Sequence, residues 1–338
     1  MTVALLVGYG SIGNRHLNEL LSNFERVHIV DSKFQPFSNR SELDIPRTET
    51  YKSISELPAS QSYDLAVIAT WGPPHLQITE SVLTRGAKFI LLEKPVESSL
   101  AKVDQLEALI ESYRVPAAVN FSLRYGPLMQ LMTQLISLND TGQLCHIIVS
   151  GGAKCIATNG IHYLDFFMQI LNENPSSVIS RITDSSINPR SKDLAYLEGI
   201  ASFEFSRNRQ LTINFSNKSF AQVGIEIIFE EARLWYSNSI VQLWGTERSS
   251  FFPSRPTNRS IEFNKLIAEY RVGNEYSPDG ITHLYSKILQ NPNQFQIRNF
   301  TESTRQIIRS CIASNRKCEI DSSGVLEKSF YEMDWKIS

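Results

Sequence analysis

The chain has 338 residues, 42% of them hydrophobic and 20% charged, and 33 basic residues against 35 acidic ones give a formal net charge of −2. That length admits two domains and the composition is that of an ordinary globular protein. The balanced charge, without a basic block, argues against a nucleic-acid surface, and no apolar run approaches a membrane span.

The four cysteines show no CxxC spacing and the six histidines do not cluster, so a structural zinc site is not expected. The first strand begins almost at the N-terminus, which leaves no room for a signal peptide, and reduced cysteines in a cytoplasm are the expectation.

Residues 3–7 form an apolar strand that runs into Gly8-Tyr9-Gly10-Ser11-Ile12-Gly13, followed by a helical pattern over 12–22. This strand–turn–helix order is the one that cradles a dinucleotide pyrophosphate. Gly8 turns the chain, Gly10 lets the backbone approach the phosphates, and Gly13 lets helix and strand pack closely. The N–H groups of the first helical turn face the anion.

The next strand, 26–30, ends at Asp31, where an acid meets the ribose hydroxyls of NAD. Asp31 favours NAD by repelling a 2′-phosphate, while Ser32 and Lys33 soften that preference and leave NADP open. Further strands are predicted at 64–69, 88–92 and 116–119, with helices near 74–86 and 99–113. Strands alternating with helices point to a doubly wound parallel sheet. Thr70, Trp71 and His75 follow the 64–69 strand and are expected to line the nicotinamide-ribose side of the cofactor. The alternative for His75 is a side chain that simply points into the turn.

Glu93-Lys94-Pro95 ends the strand 88–92. Ligands in open parallel sheets bind outside the carboxyl ends of the strands, so Lys94 is aimed at that crevice, and Pro95 biases it towards an extended backbone. A lysine beside a substrate hydroxyl can act as acid or base, or polarise a carbonyl. The alternative is a solvated loop lysine.

The pattern changes near Arg124-Tyr125-Gly126-Pro127. A helix is predicted over 127–138, a strand over 145–150 and a helix from 160 to 172. Within the latter, Ile161, Leu164, Met168 and Leu171 form a core-facing stripe. His162 lies off that stripe and Asp165 lies on its side. Thr158 or Asn159 is expected to cap this helix. A His held by a carboxylate can exchange protons with a substrate hydroxyl, and a capping or surface histidine is the alternative. Arg124 binds either an anionic or polyhydroxylated substrate or a partner in an inter-domain salt bridge.

Beyond residue 200 the period becomes two, as in Ala201, Phe203 and Phe205 and in Leu211, Ile213 and Phe215, with a turn at 206–209. Strands at 224–229 and 234–236 flank a turn at 230–233, and consecutive hairpins of this kind build an antiparallel sheet. Helices are predicted at 281–290 and 302–314. The stretch 246–259 reads as a surface loop. The predicted domains are 1–120, for dinucleotide binding, and 121–338, built on an open sheet.

Together the segments Gly8 to His16, Ala69-Thr70 with His75, Glu93-Lys94-Pro95, Arg124 to Pro127 and Gly160 to Asp165 resemble the Gfo/Idh/MocA oxidoreductase family. The resemblance implies an N-terminal Rossmann domain, then an α/β domain with a large, mostly antiparallel open sheet that mediates homodimers or homotetramers. It implies hydride transfer between a nicotinamide and a hydroxyl or keto carbon of a sugar, inositol or sugar derivative. One variant is reduction of a keto-(nucleotide-)sugar in glycan or antibiotic-sugar synthesis. Lys94 and His162 fall on the family's catalytic positions, and Arg124, Thr158, Asn159 and Asp165 are expected beside them on the substrate.

Two departures stand out. Thr158 occupies the position where many members carry an aspartate, and Trp71-Gly72 replaces the usual Pro-Asn. A non-catalytic NAD(H)-binding regulatory protein is the alternative that the first of these supports.

Overall fold

The computed structural model describes residues 2–33, 46–70, 74–138, 141–184, 196–245, 265–272 and 279–315. Trp71 and the 246–259 stretch lie outside the described residues. The chain divides into two compact units: one holds the described residues of 1–122 and 281–338, the other those of 123–186 and 196–280.

The first unit contains a six-stranded sheet. Its strands are β1 (Val3–Val7), β2 (Arg26–Val30), β3 (Thr48–Tyr51), β4 (Leu65–Ile68), β5 (Ile90–Leu92) and β6 (Ala117–Val119), in the order β3-β2-β1-β4-β5-β6. Every pairing is parallel. The chain winds outward from β1 in both directions, so the topological switch lies between β1 and β4, where doubly wound sheets bind nucleotides. Each residue of β1, β4, β5 and β6 is buried, as short apolar strands covered on both faces require.

The sequence reading contains no β3. Its Thr-Glu-Thr-Tyr run is nowhere buried and carries no apolar period; pairing to β2 at the sheet edge alone makes it a strand. Helix α1 (Ser11–Asn23) buries Gly13, His16, Leu17 and Leu20. Helix α2 (His75–Leu83) is shorter than expected, ending before Gly86, whose φ of +74 cannot continue it. Helix α3 (Leu100–Tyr113) is capped by Ser99, whose hydroxyl accepts from the Lys102 N–H at 3.2 Å.

The 121–338 stretch does not stay in one unit. The C-terminal helices α6 (Asp279–Gln290) and α7 (Arg298–Asn315) join the first unit. Ile307, Ile308 and Ile312 of α7 are buried. Arg305 binds Asp104 and Glu107 of α3, the latter with Nη1 2.7 Å from Oε1, and Thr301 donates to Glu107.

The second unit contains α4 (Pro127–Ile136), β7 (Leu144–Gly152), α5 (Ile161–Leu171) and strands β8 (Ser177–Asp184), β9 (Leu197–Phe205), β10 (Arg209–Ser216), β11 (Gly224–Phe229), β12 (Ala232–Ser237), β13 (Ile240–Gly245) and β14 (Lys265–Arg271). Its sheet runs β14-β13-β12-β11-β7-β10-β9-β8. Among the described residues of this sheet only β7 and β10 pair in parallel, and the other pairings are antiparallel. Burial alternates along β10, β11, β12 and β13, so one face of the sheet packs inward. Strands β8, β13 and β14 are absent from the sequence reading.

Among the described residues no helix is long and apolar enough to cross a membrane.

Candidate active site

The carboxyl ends of β1, β2, β4, β5 and β6 share one edge of the parallel sheet, and the chain leaves them at Gly8, Asp31, Ala69, Glu93 and Asn120. The glycine turn is built on close approach. Gly8 has φ +96, and a Cβ there would lie 2.9 Å from the backbone of Ala69 and Thr70. A Cβ on Gly13 would lie 2.2 Å from the Gly8 carbonyl oxygen, so the helix can seat on the turn only without one. Gly10 differs: a Cβ there meets nothing within 4 Å. No side chain caps α1 and its first turn holds no acidic residue, so the N–H groups of Ser11, Ile12 and Gly13 remain available to an anion.

Asp31 is fixed at the rim of this turn. Its Oδ2 accepts from the Tyr9 N–H at 2.7 Å and its Oδ1 from the Lys33 N–H at 2.8 Å. Each oxygen keeps a further lone pair for a ribose hydroxyl. Ser32 and Lys33 are exposed beside it. The Tyr9 hydroxyl turns back to Asn14 Oδ1 at 3.2 Å. Thr70, after β4, has a buried hydroxyl oxygen with no hydrogen-bond partner. An open Gly10, an uncapped helix start, a rim carboxylate and an orphaned hydroxyl fit a dinucleotide.

His75 is fully buried. Nδ1 lies 3.0 Å from the Val96 carbonyl and Nε2 3.0 Å from the Thr70 carbonyl. Its ring ties the segment after β4 to the segment after Lys94, and burial lowers its pKa against the pull of both carbonyls. The observed geometry is therefore that of a clamp inside the turn.

Lys94 follows β5 and is half-buried, and the Lys94–Pro95 peptide is cis. Glu93 directly before it is buried. Its Oε1 accepts from His16 Nε2 at 3.0 Å and from Asn120 Nδ2 at 2.7 Å. His16 Nδ1 lies 2.9 Å from the hydroxyl of Tyr285 on α6. Burial alone would push the Glu93 carboxyl up. The hydrogen bond and charge of His16, the Lys94 ammonium and the Asn120 amide outweigh it and hold the group down at about 2. His16, Asn120 and Tyr285 are missing from the sequence reading as site residues. The available signal was a histidine on the buried face of α1 beside Gly13, Leu17 and Leu20.

In the second unit, residues Ile156–Gly160 form a π-helical turn that leads into α5. No side chain caps α5, contrary to the expectation for Thr158 or Asn159. The π-helical turn runs directly into α5, so the residue before its start is Gly160, which has no side chain to cap with. Asn159 Oδ1 instead accepts from the Cys155 N–H at 3.1 Å and closes the turn upon itself. Thr158 is buried, with Oγ1 3.4 Å from Asn159 Oδ1, and His162, in the first turn of α5, is half-buried. Helix α5 is buried more widely than the predicted stripe, because Tyr163, Phe166 and Phe167 are also in the core. Asp165 binds Arg124 through both carboxylate oxygens, with Nε 2.6 Å from Oδ2. Burial opposes the guanidinium charge, and the Asp165 carboxylate outweighs it and holds Arg124 protonated.

Residues 3–121 match the Gfo/Idh/MocA family model, described as an oxidoreductase family with an NAD-binding Rossmann fold. An inositol 2-dehydrogenase from Acidiphilium cryptum is 25% identical over 142 residues, which are 41% of this chain and 42% of that protein. The match thus spans less than half of that relative's length.

Likeness of fold extends over nearly the whole chain. A myo-inositol 2-dehydrogenase from Lactobacillus plantarum superposes with a TM-score of 0.68 at 15% identity, covering 93% of this chain and 97% of that one. A super-repressor mutant of Gal80p from Saccharomyces cerevisiae gives 0.71 at 14% identity, covering 98% and 100%.

Proposed function

We propose that this protein is an NAD-dependent oxidoreductase that acts on a hydroxyl or keto carbon of a sugar, an inositol or a sugar derivative, with NAD preferred to NADP. The observation that carries this reading is Lys94, which leaves β5 on the edge where the open Gly10 turn and the Asp31 carboxylate stand ready for a dinucleotide. The inositol dehydrogenases among the relatives support the substrate class.

When bound, the nicotinamide supplies a two-electron hydride acceptor or donor. The turn residues Gly8, Gly10 and Gly13 and the start of α1 bind the pyrophosphate, and Asp31 accepts from the ribose hydroxyls and disfavours a 2′-phosphate. Lys94 donates a hydrogen bond to the reacting oxygen and stabilises negative charge on it. His162 is the candidate for exchange of the hydroxyl proton, and Thr158, without a carboxylate, donates a hydrogen bond to the substrate. Assembly through the open sheet of the second unit is part of the same reading. Its exposed Ile179, Ile200 and Trp235, at 65%, 43% and 44%, support it. A cytoplasmic setting agrees with Cys145 and Cys155, neither of which is in a disulfide.

A second reading, an NAD(H)-binding regulatory protein without turnover, is favoured by Thr158 at the family's acid position and by the likeness of fold to a repressor protein. The deciding experiment is absorbance-monitored reduction of NAD and NADP against sugars, inositols, amino sugars and nucleotide sugars, and oxidation of NADH against keto sugars. Wild-type turnover that falls by about a hundredfold or more in Lys94→Ala, with NADH affinity near normal, is the expected result. NADH binding with no turnover in either direction would favour the regulatory reading.

A further inference from the structure

We infer that the buried chain Tyr285–His16–Glu93–Asn120 is a positioning device for Lys94, with Tyr285 as its outermost member. The inference rests on the reading of Lys94 as the group that binds the reacting oxygen. An ionised carboxylate only accepts hydrogen bonds, so His16 presents Nε2–H to Glu93 Oε1 at 3.0 Å. Asn120 donates to the same oxygen at 2.7 Å. The far nitrogen of His16 faces the Tyr285 hydroxyl at 2.9 Å, which fixes the plane of the ring. The carboxylate is therefore held from α1, from the end of β6 and, through His16, from α6. The same two helices meet again one turn along, where Thr282 donates to Glu19 Oε1 at 2.7 Å.

Glu93 is the residue immediately before Lys94, and its second oxygen lies 3.4 Å from the Lys94 backbone nitrogen. Fixing the carboxylate fixes the peptide from which the Lys94 side chain departs and gives its ammonium a stationary anion. Stability alone is a poor reason for such a chain. Buried polar networks cost desolvation, and apolar side chains of like volume stabilise a core at least as well. Their use is to hold a geometry.

The test compares wild type, Tyr285→Phe and Glu93→Gln as full chains. The rate of reductive methylation of Lys94 is read by peptide mass spectrometry, with exposed Lys52 as the internal standard. NADH affinity is measured by fluorescence. The expected result is a several-fold change in the Lys94 to Lys52 ratio in both variants with NADH affinity unchanged. On a substrate from the panel, kcat falls by roughly tenfold or more at constant KM, the size of loss that a small misplacement of a reacting group produces. An unchanged ratio in a folded Tyr285→Phe and a folded Glu93→Gln overturns the inference. Should Tyr285→Phe not fold, Glu93→Gln decides, since it keeps the side-chain shape while it removes the charge and turns one of the two acceptor oxygens into an NH2 donor. Turnover retained in Lys94→Ala would instead sink the catalytic reading, and the Lys94 to Lys52 ratio would still report on the positioning chain.

Discussion

Arg124 closes on Asp165 through two parallel contacts, Nε to Oδ2 at 2.6 Å and Nη2 to Oδ1, with the guanidinium 8% and the carboxylate 1% exposed. Both residues lie in the second unit, so the pair joins the turn before α4 to the first half of α5.

Breaking such a pair strands one buried charge. Asp165→Asn should lower unfolding free energy by about 3–5 kcal/mol, and Arg124→Met combined with Asp165→Leu should recover much of that loss. Urea unfolding measures both. A single variant that costs less than about 1 kcal/mol would mean that solvent reaches the guanidinium.

Acid should act on Glu93. Its folded value of about 2 lies below its ordinary 4.5, so the stabilisation it gives is fully present above pH 4.5 and is lost as pH falls towards 2. The span corresponds to a stabilisation on the order of 3 kcal/mol. In Glu93→Gln that component of the acid dependence should vanish. Identical slopes for wild type and variant below pH 4.5 would place the acid sensitivity elsewhere.

The glycines of the first turn should separate binding from folding. Gly13→Ala drives a methyl to 2.2 Å from the Gly8 carbonyl oxygen, and Gly10→Ala meets nothing within 4 Å. Gly13→Ala should therefore cost about 2 kcal/mol or more of stability. Gly10→Ala should leave stability within about 1 kcal/mol while it weakens NADH binding, because the methyl occupies the space that the pyrophosphate needs. Thermal unfolding and NADH fluorescence titration read the two effects. Normal NADH affinity in Gly10→Ala would argue against this turn as the cradle.

How far the sequence could be read depended on the kind of signal. Strands β1, β4, β5 and β6 were legible because parallel strands covered on both faces are short continuous apolar runs. The tight turn at Gly8, Gly10 and Gly13 and the acid at the end of β2 were legible because a close strand–helix turn leaves a local pattern of small residues. Lys94 stood out because it ends such a strand. Edge strands were not: β3 and β14 are defined by pairing, and their composition carries no period. The hairpin between β12 and β13 turns on Asn238 and Ser239, both at positive φ, and Ser in place of the usual Gly hid it.

By itself the sequence determined the doubly wound parallel sheet and the strand–glycine turn–helix proposed to hold a dinucleotide, because those depend on neighbours in the chain. The tertiary structure decided what depends on distant ones. It took α6 and α7 back to the first unit, set Tyr285 against His16, and closed Arg124 on Asp165. A buried polar side chain is stable only when its hydrogen-bonding capacity is met, and the partners that meet it are brought together by packing rather than by sequence spacing.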